Sequence, residues 1–109
     1  MEVFSKGSAR RFEDRMLVHL MKFFPEQCHA LGEPKLRDTI RYGVQRAKSY
    51  QIEAERDVCK YIDLMTVLGR DFDTDEDLPW AGRILRASRP PYEKVERVRD
   101  AARMHLKDS

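Results

Sequence analysis

The sequence predicts an all-α fold, a small single domain of four to five helices spanning residues 1–109. Charged residues make up 37% of the chain, whereas glycine and proline contribute five each, and this balance favours helices over a β-sandwich. Apolar residues recur at helical spacing in five segments. A chain of this length buries roughly 65% of its unfolded surface on folding, which permits one core without a disulfide or a metal.

The first predicted helix covers about residues 8–24, with Ser8 as its N-cap and Pro25 as its end. Residues 25–31 predict one short turn, which Gly32 closes. The apolar positions of the helix lie at helical spacing: Phe12, Met16, Leu17, Leu20, Phe23 and Phe24.

The second predicted helix begins at Pro34, because proline suits the first turn of a helix. Gly43 lies inside this helix, where glycine costs about 1 kcal/mol relative to alanine. We therefore expect another helix to approach closely at Gly43. The apolar positions of the helix are Leu36, Ile40, Val44 and Ala47.

The third predicted helix follows a tight connection at residues 50–53 and runs to about Leu68, where Gly69 ends it. Its pattern is amphipathic. The apolar side chains on its inner face are Val58, Tyr61, Ile62, Met65 and Leu68.

The last two predicted helices are separated by a break at Pro90. The fourth covers about residues 79–87, and either Thr74 or Asp77 is expected to cap its start. The fifth covers about residues 92–106 and carries a thin apolar stripe, which predicts packing at an edge of the fold or on a partner. The inward positions of the fourth helix are Trp80, Ile84 and Leu85, and the apolar stripe of the fifth consists of Tyr92, Val95, Val98, Ala102 and Leu106.

Charge is distributed unevenly along the chain, although the net charge is only +2. Residues 1–52 carry ten Lys and Arg against six Asp and Glu, residues 53–82 carry three against nine, and residues 83–109 carry eight against four. The net charges of the three blocks are thus +4, −6 and +4. The acidic block either pairs with the basic blocks inside the fold or attracts a partner of opposite charge.

The two cysteines, Cys28 and Cys59, occupy apolar helical positions and are expected to be reduced, buried thiols; a Cys28–Cys59 disulfide is the less favoured alternative. The first residues lack the apolar run of a secretory signal, and no stretch approaches the 18 apolar residues of a membrane span. We therefore expect a cytoplasmic protein that binds no membrane.

The sequence contains no recognisable catalytic or metal-binding motif. Asp71, Asp73, Asp75 and Asp77 alternate, but a calcium-binding loop that began at Asp71 would need glycine and glutamate where the chain has Glu76 and Gly82. The three histidines do not pair at metal-ligand spacing, and neither a phosphate-binding loop nor a nucleophile motif is present. We expect no enzyme activity, no cofactor and no metal.

The loop between the third and fourth predicted helices is the best candidate for a binding surface. It holds five acids, and it is flanked by Phe72 and by Trp80, the chain's only tryptophan. Trp80 either fills the core or contributes to an interface, since tryptophan often dominates binding energy where water is excluded. The predicted partner-binding residues are Asp71, Phe72, Asp73, Asp75, Leu78 and Trp80.

Residues 35–85 resemble a family of small proteins encoded among bacterial type VI secretion effector genes, the co-chaperones of the TecT type. The resemblance rests on the segments RDTIRYGVQRA, ERDVCKYIDLM, GRDFDTD and LPWA. It implies a non-catalytic co-chaperone that associates with an effector chaperone, or with the effector itself, and assists delivery of an effector that carries a PAAR domain. It implies no catalytic residues.

Two other functions are compatible with the residues. An immunity protein that neutralises a neighbouring toxic effector would use an acidic loop against a basic toxin. A helical nucleic-acid-binding regulator would use the basic second predicted helix. The acidic third helix and the small net charge argue against nucleic acid as the partner.

Overall fold

The computed structural model describes residues 6–108, with side chains from Arg10 to Lys107. This part of the chain forms six α-helices and one 3₁₀ turn, with no strand, which confirms the all-α prediction. The helix count exceeds the predicted four to five, because residues 25–31 form a complete helix. The helices are α1 (Lys6–Phe23), α2 (Pro25–Leu31), α3 (Glu33–Ser49), α4 (Glu55–Leu68), α5 (Pro79–Arg86) and α6 (Pro91–Asp108).

Helix α4 lies at the centre of the fold and packs against α1, α3 and α6. The fold measures 35 × 35 × 19 Å, and its shortest dimension is about two helix diameters, each of roughly 10 Å. Helix α4 contacts neighbours on several sides, because α1, α3 and α6 all pack against it. The side chains of α4 that are fully buried are Val58, Tyr61 and Ile62.

The close approach of a second helix at Gly43 is confirmed. A Cβ atom added at this position would lie 2.7 Å from Ile62 Cγ1 and 2.8 Å from Met65 Sδ, both on α4. These separations are shorter than carbon and sulfur atoms tolerate, so glycine allows α3 and α4 to pack together.

The proline and glycine signals mark helix ends as predicted, whereas the predicted cap at the start of the chain is wrong. Pro25 begins α2, Gly32 separates α2 from α3, and Gly69 caps the end of α4 with φ +118°. Helix α1 begins at Lys6, so Ser8 lies within the helix instead of capping it. The side chain of Ser8 lies outside the described residues.

The predicted side-chain cap of α5 is wrong. Leu78 occupies the N-cap position and supplies no side-chain hydrogen bond. The Thr74 hydroxyl instead donates to the Asp71 carbonyl at 3.3 Å, and the Asp77 backbone N–H donates to Asp75 Oδ1 at 2.9 Å. These polar groups stabilise the loop itself.

Helix α6 packs on α4 and α5 through Val95, Val98 and Ala102, which are buried. Tyr92 and Leu106, the end positions of the predicted stripe, are 57% and 49% exposed. They lie near the two ends of α6, where the neighbouring helices do not cover that face. The stripe is therefore buried in its middle and exposed at its ends.

Both cysteines are free thiols; Cys28 is buried and Cys59 is half-buried. Between residues 6 and 108, no helix combines the length and the apolar character that a membrane crossing requires.

Candidate protein-binding surface

Residues 69–78, called here the acidic loop, connect α4 to α5 and contain the 3₁₀ turn Phe72–Thr74. Phe72 is fully buried and Leu78 is 6% exposed. The Phe72 ring lies 5.1 Å from the Tyr61 ring, measured between centroids. Two apolar side chains thus hold the loop against the core, one in the 3₁₀ turn and one at the junction with α5.

Asp73 fixes the middle of the acidic loop to the end of α3. Its side chain is 0% exposed. Its Oδ2 atom forms an ion pair with Arg46 and accepts a hydrogen bond of 2.6 Å from the Tyr50 hydroxyl. Burying a carboxylate is costly unless it is paired and hydrogen-bonded, and Arg46 and Tyr50 meet that requirement on one of its two oxygens.

The protonation states around Asp73 are stable near neutral pH. The hydrogen bond with Asp73 raises the pKa of Arg46 further above its ordinary value. Burial, with a smaller contribution from Asp73, raises the pKa of Tyr50 to about 12. Burial likewise raises the pKa of Tyr61. Arg46 therefore stays charged and both tyrosines stay neutral under physiological conditions.

The remaining acids of the loop face solvent. Asp71 accepts a hydrogen bond from the Tyr42 hydroxyl. Asp75, Glu76 and Asp77 are exposed, and none of them forms an ion pair within the part of the chain that the structure describes. The loop thus presents three adjacent carboxylates whose charge the fold does not neutralise.

The structure separates the six predicted partner-binding residues into two groups. Asp71 and Asp75 are exposed, and Trp80 is half-buried, with its ring 5.9 Å from that of His105. Phe72, Asp73 and Leu78 are buried, because the core covers Phe72 and Leu78 and because Arg46 and Tyr50 cover Asp73. That Asp71, Asp75 and Trp80 bind a partner stays a prediction.

The interpretation that the acidic block pairs inside the fold holds in part. The acidic block pairs internally with residues of the first basic block through Arg15–Glu55, His19–Asp63 and Arg46–Asp73. Asp75, Glu76 and Asp77, at the tip of the loop, form no ion pair within the described residues. The unpaired negative charge is therefore concentrated on the acidic loop rather than spread along the block.

Three of the five basic residues of α3 form ion pairs within the chain. Arg37 and Arg41 both bind Glu13 of α1, at 2.9 and 3.0 Å, and Arg46 binds Asp73. Burial raises the pKa of Glu13, but the hydrogen bonds from both arginines outweigh this effect and the pKa lies below its ordinary value. These pairs remove much of the charge that a nucleic acid would contact on α3.

Lys94 of α6 is a buried cation that the sequence pattern did not reveal. It is 4% exposed, and its Nζ atom donates to the Tyr50 carbonyl at 3.1 Å and to Gln51 Oε1 at 3.3 Å. Gln51 has φ +64°, the left-handed conformation in which the chain leaves α3. Lys94 therefore stabilises the same end of α3 that Asp73 contacts.

A second group of polar side chains lies away from the acidic loop, between α1 and α4. One ligand atom from each of His19, Cys59 and Asp63 lies within 4.8 Å of the other two. Sequence reasoning missed this group because His19 is 40 residues from Cys59. The only signal was the four-residue spacing of Cys59 and Asp63, which places both on one face of a helix.

Comparisons with known proteins found no matching family model, no matching curated protein and no matching solved structure.

Proposed function

We propose that this protein is a non-catalytic, cytoplasmic protein-binding module that acts as a co-chaperone. Its partner is an effector chaperone, and it assists delivery of a type VI secretion effector that carries a PAAR domain. The observation that carries the proposal is the acidic loop, in which buried residues hold a row of unpaired carboxylates at the surface.

The buried side chains of the loop make it suitable for binding. Phe72 and Leu78 fill the core, and Asp73 binds Arg46 and Tyr50. A loop that is already held in one conformation loses less conformational entropy when a partner binds it. Buried residues of the loop thus support binding indirectly, by positioning the exposed ones.

The exposed carboxylates define the chemistry of the partner. Asp75, Glu76 and Asp77 place three adjacent, exposed carboxylates at the loop tip. Complementary charge increases association rates and excludes partners of like charge. The partner surface should therefore be basic, with an apolar area that Trp80 can contact.

The resemblance of residues 35–85 to type VI co-chaperones supplies the class of partner. A co-chaperone needs a small stable scaffold and a distinctive surface, and it needs no active site.

The second candidate is an immunity protein, which the same acidic tip favours, since a basic toxin would also complement it.

The test is co-purification from the native host with three versions of the tagged protein. The first is the unaltered chain. The second carries Asp75→Asn, Glu76→Gln and Asp77→Asn, which remove the charge and keep the side-chain size. The matched control carries Glu26→Gln, Asp38→Asn and Asp100→Asn, which neutralise three exposed acids outside the loop.

Mass spectrometry should identify an effector chaperone with the unaltered chain and with the control. We expect the loop variant to bind about tenfold more weakly, a loss of about 1.4 kcal/mol, with an unchanged melting temperature. Recovery of a toxin domain without a chaperone would favour the immunity function. Equal binding by the loop variant and the control would exclude the acidic loop as the binding surface.

A further inference from the structure

We propose that His19, Cys59 and Asp63 form a binding site for one divalent transition-metal ion of the zinc class. The site lies between α1 and α4. His19 Nε2 is 2.9 Å from Asp63 Oδ1 and 3.0 Å from Asp63 Oδ2, and one ligand atom of each residue lies within 4.8 Å of the other two. Three different donor groups therefore converge on one point.

The separations fit tetrahedral coordination. Zinc binds nitrogen and oxygen at about 2.0–2.2 Å and sulfur at about 2.3 Å, so neighbouring ligand atoms in a tetrahedral site lie roughly 3–4 Å apart. The His19–Asp63 distances lie at the lower edge of that range, and the Cys59 sulfur lies within 4.8 Å of a ligand atom of each of the other two residues.

The donor set selects the class of metal. A thiolate ligand favours zinc and related transition metals, whereas magnesium and calcium prefer sites built from oxygen alone. A thiolate, a carboxylate and a neutral imidazole together carry a charge of −2, which a divalent cation neutralises. Three protein ligands leave a fourth position, which water or a partner side chain occupies.

Metal binding requires the Cys59 thiol to lose its proton. Burial, with a smaller contribution from Asp63, raises the pKa of Cys59 to about 11, so the thiol is neutral in the free protein. The metal replaces this proton: the sulfur–hydrogen bond breaks, a sulfur–metal bond forms, and one proton is released to solvent with no change of oxidation state.

The surrounding charges do not oppose a cation strongly. Lys60 and Arg99 are the positive groups that act on Cys59 and Asp63. Both donate hydrogen bonds to Glu96, at 2.7 and 3.2 Å, which offsets part of their charge. The His19 ring is further positioned by Phe23, with 4.8 Å between ring centroids.

The test titrates Zn²⁺ and Co²⁺ into the reduced chain after removal of any affinity tag. The site variants are Cys59→Ser and His19→Gln. The matched controls are Cys28→Ser, which alters the other cysteine, and His29→Gln, which alters an exposed histidine of α2. Circular dichroism establishes that each variant is folded.

We expect one Zn²⁺ ion per chain and, with Co²⁺, a thiolate-to-metal charge-transfer band. Each site variant should weaken Zn²⁺ binding at least about tenfold, since even residues that only support a ligand contribute 10- to 100-fold. Cys59→Ser should abolish the charge-transfer band, and both controls should bind as the unaltered chain does.

Absence of stoichiometric Zn²⁺ binding by the unaltered chain would overturn the proposal. Binding that Cys59→Ser leaves unchanged, or that Cys28→Ser removes equally, would also overturn it. A second measurement on the unaltered chain does not depend on folding of the variants: Zn²⁺ should shift the nitrogen resonances of His19 and leave those of His29 and His105 in place. Shifts at His29 or His105 instead would place the ion elsewhere.

Discussion

Asp73 and Lys94 are both buried charged residues, and both bind Tyr50. Asp73 accepts a hydrogen bond from the Tyr50 hydroxyl and forms an ion pair with Arg46. Lys94 donates to the Tyr50 carbonyl and to Gln51, and within the described residues it has no carboxylate partner. One charge is neutralised by an opposite charge, whereas the other is stabilised by neutral oxygen atoms.

The position of Lys94 explains how a buried cation is stable without an ion pair. Tyr50 is the C-cap residue of α3, and the carbonyl groups at the end of a helix carry partial negative charge. Lys94 thus supplies the positive charge that this helix end favours. Helix α3 therefore ends where two charges from distant segments meet, and losing either one has a different cost.

Asp73→Ala should have the largest effect on stability. It leaves Arg46 without its partner and Tyr50 without its acceptor, and breaking a buried ion pair typically costs 3–5 kcal/mol. Because the Arg46 side chain is 32% exposed, solvent recovers part of this cost. We expect the free energy of unfolding, measured with urea, to fall by about 3 kcal/mol.

Glu76→Ala is the matched control for Asp73→Ala, because Glu76 is an exposed acid of the same loop. A surface substitution of this kind should change the free energy of unfolding by less than about 0.5 kcal/mol. Similar losses for the two variants would mean that the Asp73 network does not hold the loop.

Lys94→Met should have an intermediate effect. Methionine keeps most of the apolar length of lysine, so the change removes the charge and its two hydrogen bonds and preserves packing. It also removes the cost of burying an ammonium group, which offsets part of the loss. We expect a decrease of about 1–2 kcal/mol in the free energy of unfolding.

Lys107→Met tests the same chemical change at an exposed position of α6, where the decrease should be below about 0.5 kcal/mol. If Lys94→Met leaves stability unchanged or raises it, the hydrogen bonds to the end of α3 do not offset the cost of burying the charge.

Tyr50→Phe should have the smallest effect near neutral pH, about 1 kcal/mol. It removes the hydrogen bond that the Tyr50 hydroxyl donates to Asp73 and the long one, 3.4 Å, that the hydroxyl accepts from Arg46, and it leaves the Arg46–Asp73 ion pair in place. It should also change the response to alkaline pH. The pKa of Tyr50 is about 12 in the fold and near 10 in the unfolded chain. The contribution of Tyr50 to the free energy of unfolding is complete below pH 10 and is lost as the pH rises towards 12.

Urea unfolding between pH 9 and 12 checks this prediction. Cys59 and Tyr61 also have raised pKa values, so the unaltered chain should lose stability over this range for several reasons. The difference in free energy of unfolding between the unaltered chain and Tyr50→Phe isolates the effect of Tyr50, and this difference should shrink with rising pH. A constant difference would show that Tyr50 titrates alike in both states.

The helices and their ends were predictable because the signals are local. Pro25, Gly32 and Gly69 act on the backbone within one turn, and Gly43 indicated close packing because glycine weakens a helix interior. The helix number differed because Pro25–Leu31 is short, and a single helical turn and a seven-residue helix have similar sequence signals.

The buried charges were not predictable from the sequence, because their partners are distant along the chain. Asp73 lies 27 residues from Arg46, and Lys94 lies 44 residues from Tyr50. The alternating acids of the loop look equivalent in the sequence, yet the 3₁₀ turn directs Asp73 inward and leaves Asp71 and Asp75 exposed. His19, Cys59 and Asp63 were likewise brought together only by the packing of α1 on α4.

The contact between Trp80 and His105 has a practical consequence for spectroscopy. Trp80 is the only tryptophan in the chain, and its ring lies against α6 rather than at the centre of the core. Its fluorescence therefore reports on the local environment of the α5–α6 pair, whereas circular dichroism averages over all the helices. If α6 detached before the rest of the fold opened, the optical signals would separate in time, and no extrinsic dye would be needed to detect that event.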